Sequence, residues 1–269
     1  MAFRNAIAII GGGASGLGWA TANRVAKFGG QAIVLDLERS KENFDQNMEA
    51  SKYSKSISFV PGDITKVEDV TNVIKSTVDQ FGRVDLGVQT AGIGVAFQTV
   101  SPKMSHQQRV EQFSKCLSVN TTGTFNFVSQ LAEQMSTQEA REKNSEDITI
   151  DHVSRGVILC TASIAAMDGQ RGQAAYSASK GAIVGMTLPI ARDLAKYQIR
   201  VNTIAPGLFD TPLLAALPEK ARVALAASVP HPSKLGNPEE YAALVEHIFH
   251  NPMMNAEVVR LDGALRMNM

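Results

Sequence analysis

Tyr176 and Lys180 stand at i and i+4 in Ala175-Tyr176-Ser177-Ala178-Ser179-Lys180, and Ser163 precedes them in the chain. On a helix, residues at that spacing share a face. A free phenol titrates near pH about 10 and exchanges a proton poorly at neutral pH; a neighbouring ammonium favours the phenolate and is expected to draw that value down. So poised, Tyr176 could give a proton to a ketone oxygen as hydride arrives, or take one from an alcohol as hydride leaves. The Ser163 hydroxyl would hold that oxygen. An isolated Tyr/Lys pair is more often a surface contact, so the weight rests on what the rest of the chain supplies.

Hydride chemistry needs a carrier. The run Gly11-Gly12-Gly13-Ala14-Ser15-Gly16-Leu17-Gly18 follows an apolar segment and opens into a stretch with Ala22, Val25, Ala26 and Gly29 at i, i+3, i+4 and i+7. In a strand–glycine–helix context, glycines let the backbone approach a pyrophosphate that faces the helix N-terminus. The spacing reads either as G-x-G-x-x-G on Gly11, Gly13 and Gly16 or as G-x-x-x-G-x-G on Gly12, Gly16 and Gly18, and does not choose between them. The second apolar run ends in Asp36, whose carboxylate can accept both hydroxyls of an adenosine ribose and would repel a 2′-phosphate. Ser15 and Leu37 leave the usual positions for a phosphate-binding cation uncharged, which predicts NAD over NADP. Arg39 could oppose that by neutralising Asp36, but is expected to be a solvated surface residue. Asp63, in Pro61-Gly62-Asp63-Ile64, is placed to meet the adenine edge, with a turn or N-cap as its competing role.

The elements that must hold these groups follow from the apolar runs at residues 6–10, 32–35, 57–60, 84–88, 157–160, 200–204 and 258–261, which alternate with longer helical stretches. Such runs predict strands covered on both faces and joined by right-handed helical crossovers. The expected fold is α/β: a single Rossmann domain over residues 1–269, with a seven-stranded doubly wound parallel sheet and helices on both faces. Ser163 then lies just past the fifth strand, and Tyr176 and Lys180 on the next helix.

Composition narrows the function further. The chain has 269 residues, 44% of them hydrophobic, which supplies a sizeable core, and its 26 basic residues balance 26 acidic ones. No charge excess attracts nucleic acid or anionic lipid, and no apolar run approaches the roughly 18 residues a membrane span needs. Cys116 and Cys160 are too few for a disulfide framework, which points to a reducing compartment. His247 and His250 lack carboxylate or cysteine companions at ligand spacing, so no metal site is expected. Residues 95–114 and 136–155 are longer than a crossover requires; the second is charged and reads as solvated surface.

Taken together, the glycine turn, a Ser after a parallel strand and the Tyr/Lys pair on the next helix resemble the short-chain dehydrogenase/reductase family along nearly the whole chain. The resemblance selects Gly12, Gly16 and Gly18 and implies cofactor contacts from Ser15, Leu17, Ile64, Ala91 and Gly92 and from Tyr176 and Lys180 themselves. It implies Asn120, in Leu117-Ser118-Val119-Asn120, as a fourth catalytic residue holding a water that joins Lys180 to solvent. Pro206, Gly207 and Thr211 match the segment that binds the nicotinamide carboxamide. Two positions depart: the family usually carries Thr where Gly11 stands and Asn where Gln89 stands in Gln89-Thr90-Ala91-Gly92. A missing hydroxyl and a longer amide are expected to loosen the cofactor shoulder.

Within the family, residues 172–181 and 183–195, together with Ile204-Ala205-Pro206-Gly207-Leu208-Phe209, Thr211-Pro212-Leu213-Leu214 and Leu261-Asp262-Gly263-Ala264, resemble members that act on short or branched 3-hydroxyacyl-CoA esters and on hydroxysteroids. That likeness implies oxidation of (S)-3-hydroxyacyl-CoA by NAD to 3-oxoacyl-CoA, a homotetramer, a place in lipid metabolism and a mitochondrial address, with the cytoplasm as the alternative. It also implies Gln173 as a substrate contact beside Ser163 and Tyr176. Between residues 208 and 229, Leu213, Leu214, Leu217, Val223 and Leu225 supply apolar surface for a lid over substrate, or equally for core or subunit packing. Another secondary alcohol as substrate, or a scaffold role in a mitochondrial RNA-processing complex through protein contacts, are the competing outcomes.

Overall fold

The computed structural model describes residues 3–141, 154–215 and 217–267. Seven strands form one parallel sheet: β1 (Ile7–Gly11), β2 (Gln31–Asp36), β3 (Ile57–Pro61), β4 (Leu86–Gln89), β5 (Gly156–Thr161), β6 (Ile199–Pro206) and β7 (Val258–Leu261). Their order in space is β3-β2-β1-β4-β5-β6-β7. All seven apolar runs became strands, with ends displaced by at most two residues. The chain winds outward from β1 to β3, returns to β4 and winds outward again, so the strand order reverses between β1 and β4. A doubly wound sheet holds its ligand in the crevice at the carboxyl ends of those two strands. Here that crevice is bounded by the glycine turn and by residues 89–92.

Strands covered on both faces favour apolar side chains on both, and every residue of β1, β4, β5 and β6 is buried. On one face Ile9, Ile33 and Ile158 pack under α3 (Val67–Phe81), α5 (Gly123–Thr137) and α6 (Ala174–Leu194) through Val70, Phe127, Leu131 and Ile183. On the other, Ile10, Val34, Val88 and Leu159 meet α1 (Gly16–Lys27), α2 (Lys41–Ala50) and α9 (Pro238–His250) through Val25, Phe44, Tyr241 and Val245, with α7 (Pro212–Ala215) and α8 (Glu219–Ala227) lying between β6 and α9 in the chain. The strand period of two distributes neighbouring residues between the two layers. In α3, the buried Val70, Val73, Ile74 and Thr77 follow helical spacing, and the helix stops at Gly82, whose φ of 79° is left-handed.

Helix α9 begins at a capping box between Asn237 and Glu240. Just past its C-terminal end, the buried Arg200 of β6 donates to the carbonyls of Ile248, Phe249, Asn251 and Met254. Burial brings its guanidinium down to about 10, a cost offset by satisfying carbonyls that a helix end leaves unpaired. Among the described residues no helix is long and apolar enough to cross a membrane.

The two long connections resolve differently. In 95–114 an irregular stretch gives way to α4 (His106–Leu117), started by a capping box between Ser105 and Gln108. Residues 142–153 of the charged segment lie outside the described residues; on either side of them Arg141 and Ser154 meet in an antiparallel bridge. Between α4 and α5 the chain makes a π-helical turn, Ser118–Thr122, which the sequence pattern did not foresee and which carries Asn120.

Candidate active site

Ser163 follows β5 and caps the 3-10 turn Ile164–Ala166, its Oγ accepting from the Ala165 N–H at 3.2 Å. Tyr176 lies in the first turn of α6 and shares a hydrogen bond with Ser163. One turn further on, Lys180 is 5% exposed; its Nζ donates to the Thr161 carbonyl at 2.8 Å and stands 5.9 Å from the centre of the Tyr176 ring. Strand β5 thus supplies both the anchor for the ammonium and the approach to the serine, and α6 brings the phenol between them.

Burial holds the Lys180 ammonium down at about 8. Burial also raises the Tyr176 phenol above its ordinary value, opposed by the hydrogen bond with Ser163. This corrects the expectation that Lys180 lowers the phenol outright. The ammonium is itself desolvated and committed to Thr161, so the desolvation of the ring wins. Close by, burial raises the Cys160 thiol to about 12, which keeps it neutral beside Lys180.

Asn120 is fully buried. Its Oδ1 accepts from the Ile93 N–H at 2.8 Å and its Nδ2 donates to the Ile93 carbonyl at 2.9 Å and to Ser179 Oγ at 3.0 Å. The amide therefore ties the loop after β4 to α6. A Cβ at Gly92 would lie 3.1 Å from Asn120 Oδ1 and 3.4 Å from Lys180 Nζ, so the absence of a side chain there lets this loop close on both residues. The structure brings Ser163, Tyr176, Lys180, Asn120 and Gly92 into one neighbourhood.

On the other side of the crevice the residues fit a dinucleotide. Ser15 makes no side-chain cap and the first turn of α1 carries no acid, so its N–H groups face outward with no competing side chain, as a pyrophosphate requires. Gly12 has φ 76° and a Cβ there would lie 2.5 Å from the Ala91 nitrogen; Gly16 has φ 53°. Gly18 packs against the carbonyl of Gly12 and Thr90 Oγ1, and Leu17 is half-buried behind the turn. Asp36 accepts the Ala14 N–H on one oxygen at 3.0 Å and the Leu37 N–H on the other at 2.8 Å. Each oxygen keeps a further lone pair for a ribose hydroxyl. Arg39 is exposed.

The remaining predicted residues divide. A Cβ built on Gly16 would lie 3.3 Å from the Thr211 methyl, so Thr211 borders the glycine turn, while Gly207, just after Pro206 ends β6, donates to the Leu261 carbonyl at 2.9 Å. Asp63 adopts a turn role: its Oδ1 accepts from the N–H and the hydroxyl of Thr65. Ile64 is buried against Gly123, and Ala91 donates to the Gly11 carbonyl at 3.0 Å. Gln173 is drawn into its own turn, its Oε1 accepting the Gln170 N–H at 3.0 Å. Leu217 and Val223 are exposed. His247 contacts Asn251 through its ring nitrogen at 3.3 Å, and among the described residues no three His, Cys, Asp or Glu side chains cluster as metal ligands. Sequence reasoning missed Thr161 and Ile93, because each acts through its backbone and a backbone group leaves no signature in residue type.

The family model described as short chain dehydrogenase matches residues 6–222. The 3-hydroxyacyl-CoA dehydrogenase type-2 of Drosophila melanogaster is 50% identical over 264 residues, covering 98% of this chain and 98% of its own. That of Bos taurus is 51% identical over 261 residues, covering 97% and 95%. The crystal structure of 3-hydroxyacyl-CoA dehydrogenase type-2 from Mycobacterium avium superimposes with a TM-score of 0.87 at 35% identity, over 99% of this chain and 98% of that one. The glycine turn, the serine past β5 and the Tyr/Lys pair thus sit on a shared framework that runs the length of the molecule, and the chain belongs to the short-chain dehydrogenase family.

Proposed function

We propose that this chain interconverts (S)-3-hydroxyacyl-CoA and 3-oxoacyl-CoA esters of short or branched chain, using NAD. The observation that carries the reading is half-identity, over nearly the full length of both chains, to relatives named 3-hydroxyacyl-CoA dehydrogenase type-2, joined to a Ser163–Tyr176–Lys180 cluster at the mouth of the crevice. When bound, the nicotinamide supplies or receives the hydride. Ser163 Oγ holds the substrate oxygen, and Tyr176 Oη donates its proton to that oxygen in reduction and recovers it in oxidation. Lys180, anchored on the Thr161 carbonyl, places a positive charge beside the phenol when the proton departs. Asn120 braces the loop that closes on Lys180.

NAD rather than NADP is supported by Asp36, whose carboxylate, fixed by two backbone N–H groups, stands at the end of β2, while Arg39 in the 3-10 turn that follows is exposed. NADH consumption in the presence of acetoacetyl-CoA is the experiment that tests the substrate and the cofactor together. Turnover is expected with NADH at a specificity constant at least about tenfold above that with NADPH, since a 2′-phosphate would be set against a carboxylate. Asp36→Ala narrows that gap by weakening NADH and relieving NADPH. A wild type that prefers NADPH overturns the cofactor assignment, and one that reduces other ketones but not the thioester overturns the substrate.

A homotetramer fits the same reading: Phe125 on α5 and Leu188 on α6 leave large apolar side chains in solvent on the isolated chain. Sedimentation velocity at micromolar concentration is expected to give a mass of four chains; a monomer at that concentration contradicts it.

A further inference from the structure

The two departures from the family pattern meet in space. Strands β1 and β4 are neighbours, and their register pairs Gly11 with Gln89 at the floor of the crevice. Gln89 is 1% exposed, and a Cβ built on Gly11 would overlap its Oε1 and lie 3.3 Å from its Cδ. The amide thus fills the volume that any side chain at position 11 would occupy. From there Oε1 accepts the Ala91 N–H at 3.1 Å. Ala91 also donates to the Gly11 carbonyl, and Thr90 donates to that carbonyl from its N–H and from its hydroxyl. The segment after β4 is therefore tied to the end of β1 through a set of bonds in which Gln89 supplies the only side-chain carbonyl. Among the described residues its Nε2 is buried without a hydrogen-bond partner. An orphaned amide donor is unfavourable in a core, so packing by itself gives no reason for this side chain.

We propose that Gly11 and Gln89 form one matched unit, in which the absence of a side chain at 11 admits the long amide at 89, and that Gln89 is a positioning residue for Ala91 and Gly92. Those residues form the shoulder between the glycine turn and the Asn120–Lys180 pair. The shoulder that the departures were expected to loosen is braced instead by their combination. The inference rests on the dinucleotide reading of the crevice for its functional consequence, and on geometry alone for the pairing of the two positions.

A double-mutant cycle on the full-length protein tests it, read by NADH affinity from fluorescence titration and by the melting temperature of the unliganded protein. Gly11→Ala, which inserts a Cβ into the amide, is expected to weaken NADH binding about tenfold and lower the melting temperature. Gln89→Asn, which withdraws the amide, is expected to weaken it about fivefold, and the double variant to bind within about threefold of wild type instead of the roughly fiftyfold loss that independence requires. Gln89→Met keeps the volume and removes the acceptor; it is expected to weaken NADH with the KM for acetoacetyl-CoA and the melting temperature held, a split that a merely structural side chain would not give. A Gly11→Ala chain too unstable to purify, alongside a folded double variant, supports the unit as directly. Additive losses in both readouts overturn the unit, and a Gln89→Met protein with wild-type NADH affinity overturns the positioning role. A wild type that binds no NADH, while the two substitutions still rescue one another in melting temperature, sinks the dinucleotide reading and leaves the packing unit standing.

Discussion

Replacing Tyr176 by Phe is expected to lower kcat for ketone reduction by about 10²- to 10⁴-fold, the range over which a positioned proton donor contributes, with NADH affinity kept within about twofold. The two halves of that expectation come from different parts of the structure. The ring of Tyr176 is packed against Lys180 and the serine loop, and phenylalanine keeps that packing. What it loses is the oxygen that shares a hydrogen bond with Ser163. The glycine turn, Asp36 and the first turn of α1 are untouched, so binding stays. Stopped-flow reduction of acetoacetyl-CoA with enzyme in excess isolates the chemical step. A Tyr176→Phe enzyme that retains more than about a tenth of wild-type turnover would require another proton donor and sink the assignment. Ser163→Ala should cost less, because it removes a hydrogen bond to the substrate oxygen and leaves the proton path intact.

How far the site could be read from residue types depended on what each residue does with its side chain. Apolar runs announced all seven strands, because strands covered on both faces are dominated by apolar residues, with buried exceptions such as Gln89, Arg200 and Asn202 each hydrogen-bonded into the structure; the doubly wound order followed from the helices between them. Glycines whose backbone must turn or approach closely were equally visible, and Gly12 and Gly16 have the positive φ that only glycine adopts at little cost. Asn120 was visible as a motif, but the π-helical turn that aims it was not, since a single wide turn leaves no periodicity behind. Gly11 and Gln89 were legible as two separate oddities; that they compensate is a fact about neighbouring strands, and residues 78 positions apart carry no local sign of contact. The sign of the Tyr176 shift went the other way for a related reason. Spacing on a helix reveals that an ammonium is near a phenol, yet whether charge or desolvation dominates depends on how much chain covers both.

That burial gives Lys180 a signature in two measurements. An ammonium held at about 8, against an ordinary value of 10.5, loses its proton first as pH rises, while the phenol is raised and holds its own. The pair then gives up its first macroscopic proton near pH 8, and the specificity constant for ketone reduction is expected to be flat below that pH and to fall about tenfold per unit above it. Lys180→Met should lower turnover by at least about 10²-fold and move the alkaline fall up to the titration of the phenol. Stability carries the complementary sign. Between the folded and the unfolded values the unfolded chain binds the extra proton, so Lys180 makes folding stability rise with pH across roughly 8 to 10.5. Cys160, Tyr176 and Tyr241, whose values burial raises, oppose that rise in both proteins, and the difference between wild type and Lys180→Met reports the lysine together with its charge coupling to Cys160. Urea midpoints at pH 7.5, 9 and 10 are expected to converge or cross in favour of wild type as pH increases, because the folded lysine no longer has to be charged. A constant gap across that window would mean that Lys180 keeps an ordinary value in the folded protein. An unchanged alkaline limb of the rate profile in the variant would mean that its charge does not govern the proton on Tyr176.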